Sequence, residues 1–257
     1  MFTRAIVRTP SQSMINGITT ADLGQPDNLK ALEQHKDYVV ALEECGLDVL
    51  TLDAEEQYPD SVFVEDVALM TPDCAILTRP GAMSRTGEVH SMLPVIKNYY
   101  QTIEQVTDSE SSIATVEAGD IMMVGRHFYI GLSERTNRAG AAQMTQFLEK
   151  YGMTASVVTM SDVLHLKTGL SYLDNNNLLV CGEFITKPDF KDFNHLIVTA
   201  EEAYATNSVW INDTVLVPAG FPETLELIKS AGYKTRTVNV SEFEKIDGGL
   251  SCLSLRF

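Results

Sequence analysis

Cys252 closes the run Asp247-Gly248-Gly249-Leu250-Ser251-Cys252, in which two glycines remove side chains that would otherwise crowd a thiol. His165 lies in Leu164-His165-Leu166-Lys167, and carboxylates gather in two further segments. Asp60, Glu65 and Asp66 fall in Pro59-Asp60-Ser61-Val62-Phe63-Val64-Glu65-Asp66, and Glu117 and Asp120 fall in Glu117-Ala118-Gly119-Asp120. A thiol, an imidazole and several acids are the parts needed for nucleophilic catalysis on a cationic carbon centre. The pair Glu65-Asp66 interrupts the apolar run 62–70, too apolar for an exposed loop, so one of the two acids belongs indoors. An indoor carboxylate needs a cation or several donors, and a guanidinium supplies both in fork geometry. The remaining cysteines, Cys45, Cys74 and Cys181, read as small buried hydrophobes.

The elements that must position these residues form a repeating pattern of hairpin, loop, helix and strand. Strands at 67–70 and 74–78 flank Thr71-Pro72-Asp73, followed by a helix at 92–105 and a strand at 113–116. The next repeat has a hairpin at 121–124 and 128–132, a helix at 139–151 closed by Gly152, and a strand at 155–159. Further hairpins read at 170–174 with 178–181 and at 209–211 with 214–217; the last is followed by a helix at 222–230 that starts with proline and ends near Gly232. The N-terminal repeat has a strand at 3–8, a helix at 28–45 and a strand at 47–52, and its hairpin partner is expected to be the final strand, 253–257. That would close a ring of five pseudo-symmetric α/β repeats. The reactive segments occupy equivalent positions in it and would converge on a central cavity. No Pro/Gly/Ser linker interrupts the pattern, so residues 1–257 read as one domain. Hairpins at every repeat argue against a doubly wound parallel sheet, whose strands need crossover helices.

Composition sets outer limits. The 257 residues are 44% apolar and 21% charged, as in a folded globular protein. A formal charge of -16 repels phosphate backbones and anionic headgroups, so nucleic acid is a poor partner and a small cation a compatible one. The scattered cysteines contain no C-x-x-C pair, neither a disulfide framework nor a zinc site. Residues 1–10 hold no apolar signal core and nowhere do eighteen uncharged apolar residues run together, so the cytoplasm is the expected location and no membrane partner is expected.

Phe63-Val64-Glu65-Asp66, Gly131-Leu132-Ser133-Glu134-Arg135-Thr136-Asn137, His165-Leu166-Lys167-Thr168 and Asp247-Gly248-Gly249-Leu250-Ser251-Cys252, in this order, resemble the dimethylarginine dimethylaminohydrolase family over nearly the whole chain. The resemblance implies the five-unit α/β-propeller, or pentein, fold and hydrolysis of Nω-methylated arginine to citrulline and a methylamine, without metal or organic cofactor. Carried over residue by residue, it implies Cys252 as nucleophile and His165 as proton shuttle, with Glu117 orienting His165. Asp66 would hold the guanidinium with Asp60 and Glu65 nearby, Arg85 and Arg135 the substrate carboxylate, and the carbonyls of Ile18 and Ile246 the α-amino group. The family often has two glycines after the acid that Glu117 matches, and Ala118 stands in the first of those places here. A homodimer is compatible with this reading.

Arginine deiminases share the fold and the thiol chemistry, but there the histidine resembles H-x-D, whose acid grips an unmethylated guanidinium; this chain has Lys167 in that place. A non-catalytic binding module on the same fold is disfavoured by the joint presence of Cys252, His165 and Glu117.

Overall fold

The computed structural model describes residues 1–109, 112–161 and 163–257. In chain order its elements are β1 (Arg4–Arg8), α1 (Asn28–Glu44), β2 (Asp48–Leu52), β3 (Ala68–Met70), β4 (Ala75–Leu77), α2 (Glu88–Ile96), β5 (Ile103–Gln105), β6 (Ile121–Val124), β7 (His127–Leu132), α3 (Arg138–Lys150) and β8 (Thr154–Thr159). They continue with α4 (Leu166–Gly169), β9 (Leu170–Tyr172), β10 (Asn177–Val180), β11 (Asn194–Ile197), β12 (Val209–Ile211), β13 (Thr214–Pro218), α5 (Pro222–Ser230), β14 (Lys234–Val238), α6 (Ser241–Glu244) and β15 (Leu255–Arg256). Short 3-10 turns join several of them.

Among the described residues the strands make five three-stranded sheets with one plan: an antiparallel pair, then a parallel third strand. The last strand supplies the missing hairpin partner of the first repeat, as expected. β15 pairs antiparallel with β1 (Ala5↔Arg256), and β2 pairs parallel with β1 (Arg4↔Asp48). The hairpins turn where the chain tolerates positive φ, at Asn175 and Asn176 between β9 and β10 and at Asn212 between β12 and β13.

The chain divides into two compact bodies, residues Met1–Val64 with Thr168–Phe257, and residues Glu65–Lys167. The first contains the sheets β15-β1-β2, β9-β10-β11 and β12-β13-β14; the second contains β3-β4-β5 and β6-β7-β8. Each has its own apolar core. Tyr38, Leu42, Phe63, Leu216, Phe243 and Leu250 belong to that of the first body, and Ile76, Val116, Phe128, Ile130, Met144 and Leu148 to that of the second. Asp27 caps α1 by accepting from the amides of Leu29 and Lys30, and Asn137 caps α3 by accepting from that of Gly140.

The second repeat departs from the sequence reading. Its helix is Glu88–Ile96 rather than 92–105, and its third strand is Ile103–Gln105 rather than 113–116. The buried stripe Val89, Met92, Ile96 has helical spacing but begins before Pro94, which sits inside the helix. Residues 113–116 instead include Val116, which meets Arg79 of the same chain at an isolated antiparallel bridge. In the fourth repeat two 3-10 turns, Gly182–Thr186 and Pro188–Phe190, stand between β10 and β11, with proline opening the second.

Candidate active site

In the body 65–167 the predicted histidine, three of the acids and one arginine form a single buried ionic network. Gly119 makes it compact. A Cβ there would lie 2.8 Å from Asp66 Oδ1 and 3.0 Å from His165 Nδ1, so the turn after Glu117 must carry glycine at that place. Ala118, in the preceding place, is buried in the apolar core and needs no positive φ; only the second of the family's two glycines is required by packing here.

Glu117 is buried and works with both oxygens: Oε2 lies 2.7 Å from His165 Nε2, and Oε1 accepts from the Gly81 amide at 2.9 Å. Asp66 Oδ1 accepts from the Gly119 amide at 3.1 Å, and Oδ2 pairs with Arg85 Nη1 at 2.6 Å. Arg85 is itself gripped from behind by Glu88, which takes Nε at 3.0 Å and Nη2 at 2.9 Å. Glu88 was not singled out in the sequence, because the helix it opens was expected to begin only at residue 92. Glu65 Oε1 pairs with Lys167 Nζ at 2.6 Å, so the lysine that stands where a deiminase has an acid holds another acid. Asp120 is fully buried and accepts from the Leu166 amide at 2.9 Å and the Ser133 hydroxyl at 2.6 Å; it fixes the chain beside His165.

Charge follows from this packing. Burial alone would lower the His165 pKa, but Asp66, the hydrogen bond that the ring donates to Glu117, and Asp120 push it up to about 9, which favours the imidazolium at neutral pH. Burial would raise Asp66, yet Arg85, His165 and Lys167 hold its carboxyl below the usual range. Burial opposes the charge of Arg85 as well, and Glu88 and Asp66 hold its pKa well above the ordinary arginine value. Asp120 is pushed up by its burial.

Arg135 differs from Arg85. It is partly buried on the tight turn Ser133-Glu134-Arg135-Thr136, whose backbone lies so close to Gly81 that a Cβ there would sit 2.7 Å from the Arg135 carbonyl oxygen. Its guanidinium has no ion-pair partner among the described residues.

The other predicted residues lie in the body 1–64 with 168–257. Cys252 is partly exposed on the 3-10 turn Ser251–Leu253, and the Gly249 amide donates to its Sγ at 3.5 Å. Both glycines of the motif are forced by packing. A Cβ on Gly248 would lie 2.2 Å from the Phe63 ring, and one on Gly249 2.5 Å from Asn207 Oδ1. Asn207 also accepts from the Ser251 amide at 2.8 Å and donates to the Ser251 hydroxyl at 3.1 Å. Asp60 Oδ1 accepts from the Ile18 amide at 2.9 Å. Ile246 comes to the same place, its Cδ1 3.4 Å from a Cβ built on Gly17. The Thr20 amide and hydroxyl donate to Asp247, and the Thr19 hydroxyl to the Lys245 carbonyl, tying segment 17–20 to 245–247. Cys45, Cys74 and Cys181 are buried, and burial raises the pKa of each, as suits inert thiols.

Asp66, Glu117 and His165 offer one donor each within 4.8 Å, a spacing that suits a cation. Here a hydrogen bond to Glu117 and an ion pair with Arg85 take up those donors, and the imidazole carries a proton where a metal would need a lone pair.

Residues 15–203 match the family described as N,N dimethylarginine dimethylhydrolase, eukaryotic. The chain is 52% identical over 258 residues to the N(G),N(G)-dimethylarginine dimethylaminohydrolase of Pseudomonas aeruginosa, covering 100% of both chains. It superposes with a TM-score of 0.97 on a cysteine-to-serine variant of the dimethylarginine dimethylaminohydrolase from Pseudomonas aeruginosa in complex with citrulline, at 52% identity and 100% coverage of both. The N-terminal domain of ArgZ, a cyanobacterial arginine dihydrolase bound to its product, has a TM-score of 0.86 at 22% identity, covering 100% of this chain and 97% of that one. That last likeness concerns the fold alone. With the five like sheets, these comparisons bear out the five-unit α/β-propeller expected from the sequence.

Proposed function

The chain belongs to the dimethylarginine dimethylaminohydrolase family and hydrolyses Nω-methylated arginine to citrulline and a methylamine; we propose that Cys252 is its nucleophile and His165 its proton shuttle. Cys252, its proton released to solvent as the cationic guanidinium binds, attacks the guanidinium carbon as a thiolate and forms a tetrahedral adduct. The His165 imidazolium gives its proton to the departing amine, which leaves as dimethylamine from the asymmetric dimethyl substrate and methylamine from the monomethyl one. The product is a thiouronium on Cys252. His165, now neutral, takes a proton from water as the water oxygen adds to the same carbon; collapse of that adduct expels the Cys252 thiolate, releases the hydroxyl proton to solvent and yields citrulline.

The observation that carries this reading is the buried pair that joins His165 Nε2 to Glu117 Oε2 at 2.7 Å. An imidazole held protonated by Glu117, Asp66 and Asp120 is an acid at the pH where an amine has to leave. Asp66, kept ionised, takes the substrate guanidinium, with Glu65 and Asp60 nearby. Arg135 takes the substrate carboxylate together with Arg85, which Glu88 keeps oriented. The carbonyls of Ile18 and Ile246 take the α-amino group. We read residues 1–257 as a single catalytic domain, a reading supported by the recurrence of the same three-stranded sheet plan in both bodies.

The test is a substrate panel of arginine, monomethylarginine, asymmetric dimethylarginine and agmatine, run in excess chelator and scored for citrulline or its decarboxylated analogue. Citrulline from the methylated arginines at an unchanged rate in chelator is the expected result. Preference for arginine with release of ammonia would make the chain a deiminase, a reading that the Lys167–Glu65 pair disfavours because it leaves one acid fewer for an unmethylated guanidinium. Activity that disappears in chelator and returns with metal would exclude the thiol-and-histidine course. Among the described residues no helix is long and apolar enough to cross a membrane. We place the enzyme in the cytoplasm, and the net charge of -16 supports leaving nucleic acid out of its partners.

A further inference from the structure

The peptide group joining Gly248 to Gly249 is held at both ends. Its carbonyl accepts a hydrogen bond from the Tyr204 hydroxyl at 2.7 Å, and its N–H is the one donated to Cys252 Sγ at 3.5 Å. In a trans peptide these two groups point in opposite directions, so an anchor on the oxygen aims the hydrogen. No cis peptide occurs among the described residues. The glycines on either side of this peptide are packed as well: the Phe63 ring lies against Gly248 and the Asn207 side chain against Gly249, each too close to admit a Cβ. Asn207 then reaches on to the amide and hydroxyl of Ser251, the residue before the thiol.

Tyr204 comes from the 3-10 segment Ala200–Thr206, with its ring 5.5 Å from that of Phe221 and tilted by 33°. Burial, then the charges of Glu244 and Cys252, keep its hydroxyl protonated far above the ordinary range, so it serves as a donor at every pH of interest. A donor on a carbonyl polarises the peptide and strengthens its N–H toward the next acceptor. A thiolate gains more from such an N–H than a thiol does, because hydrogen bonds to ionised acceptors are the stronger ones.

We propose that Tyr204 is a positioning residue for the nucleophile: by donating to the Gly248 carbonyl it holds and polarises the peptide whose N–H stabilises the Cys252 thiolate. The inference rests on Cys252 being the nucleophile. It adds a residue from a different sheet repeat, 48 positions away in sequence, to the control of that sulfur.

The test uses the full chain with Tyr204→Phe, which removes one oxygen and keeps the ring. The rate of alkylation by iodoacetamide, located at Cys252 by mass spectrometry, is followed against pH alongside steady-state turnover of asymmetric dimethylarginine. Loss of one neutral hydrogen bond should raise the apparent thiol pKa by about 0.4 to 1 unit and lower kcat near neutral pH by roughly three- to tenfold, with KM within about twofold. A second substitution, Tyr204 to 3-fluorotyrosine, strengthens the donor and should move the thiol pKa downward, which a merely structural role would not do. An unchanged thiol pKa in both variants would overturn the inference, as would a shift in the same direction in both. Cys252→Ser separates the two assignments. Loss of labelling and turnover in that variant supports the nucleophile on which the inference rests, whereas retained turnover would overturn nucleophile and tyrosine together.

Discussion

The proton-handling cluster and the thiol loop are organised by opposite means. Around His165 five ionisable partners, Glu117, Asp66, Asp120, Arg85 and Glu88, are buried and joined by charge-assisted hydrogen bonds. Around Cys252 the work is done by shape and backbone: two glycines pressed against Phe63 and Asn207, and an amide on the sulfur. The difference matches the demands on each group. A histidine that must be an acid near neutral pH needs neighbours that raise its pKa, whereas a sulfur that must reach a carbon needs space and a fixed direction.

The largest effect should come from removing the proposed proton shuttle. His165→Gly is expected to lower kcat for asymmetric dimethylarginine by about 10²- to 10⁴-fold, while a substrate with a good leaving group still modifies Cys252. Mass spectrometry of the trapped protein checks this. Turnover at the native rate would remove His165 from the mechanism and the comparison with it.

Breaking the ionic network elsewhere should cost stability. Arg85→Met leaves Asp66 and Glu88 buried without their cation and should lower the unfolding free energy by about 3 to 5 kcal/mol in denaturant titrations. Arg135→Lys should leave stability nearly unchanged and raise KM for carboxylate-bearing substrates, because lysine cannot copy a bidentate fork. If an analogue lacking the carboxylate suffers equally, Arg135 is structural.

In the thiol loop the sensitive change is steric. Gly249→Ala puts a methyl group 2.5 Å from Asn207 Oδ1 and should destabilise by about 1 to 3 kcal/mol while slowing alkylation of Cys252.

The most gradual effect is a pH dependence of stability. His165 has a folded pKa of about 9 against an ordinary 6.5, so its contribution is fully present below the ordinary value and is lost as pH rises through about 9, at up to about 1.4 kcal/mol per pH unit. Asp66 has the opposite sign: its lowered pKa gives stability that is present above the ordinary carboxylate range and disappears on acidification. Unfolding midpoints from pH 6 to 10, compared between the native chain and Glu117→Gln, measure the histidine arm. An unchanged slope in the variant would mean that Glu117 does not set the charge.

The sequence by itself determined the plan of the chain and most of the chemistry. Hairpin turns rich in Asn and Gly, alternating apolar strands and the unpaired strand at each end were enough to expect five like repeats, because these are local signals that bury one face wherever they occur. Reactive residue types at equivalent places in the repeats, such as Glu117, His165 and Cys252, were legible for the same reason. Periodicity failed where an apolar stripe is shared by alternative registers, as around Pro94, and where a short third strand such as β5 carries little alternation of its own. Tertiary structure alone decided which partner each reactive group has. Nothing local announces that Glu88 backs Arg85, that Lys167 occupies Glu65, or that Tyr204 anchors the peptide facing Cys252. Hydrogen bonds and charges act over a few ångströms in space, and only the folded chain brings residues separated by about a hundred positions, as Glu65 and Lys167 are, or by more than two hundred, as Thr20 and Asp247 are, to that distance.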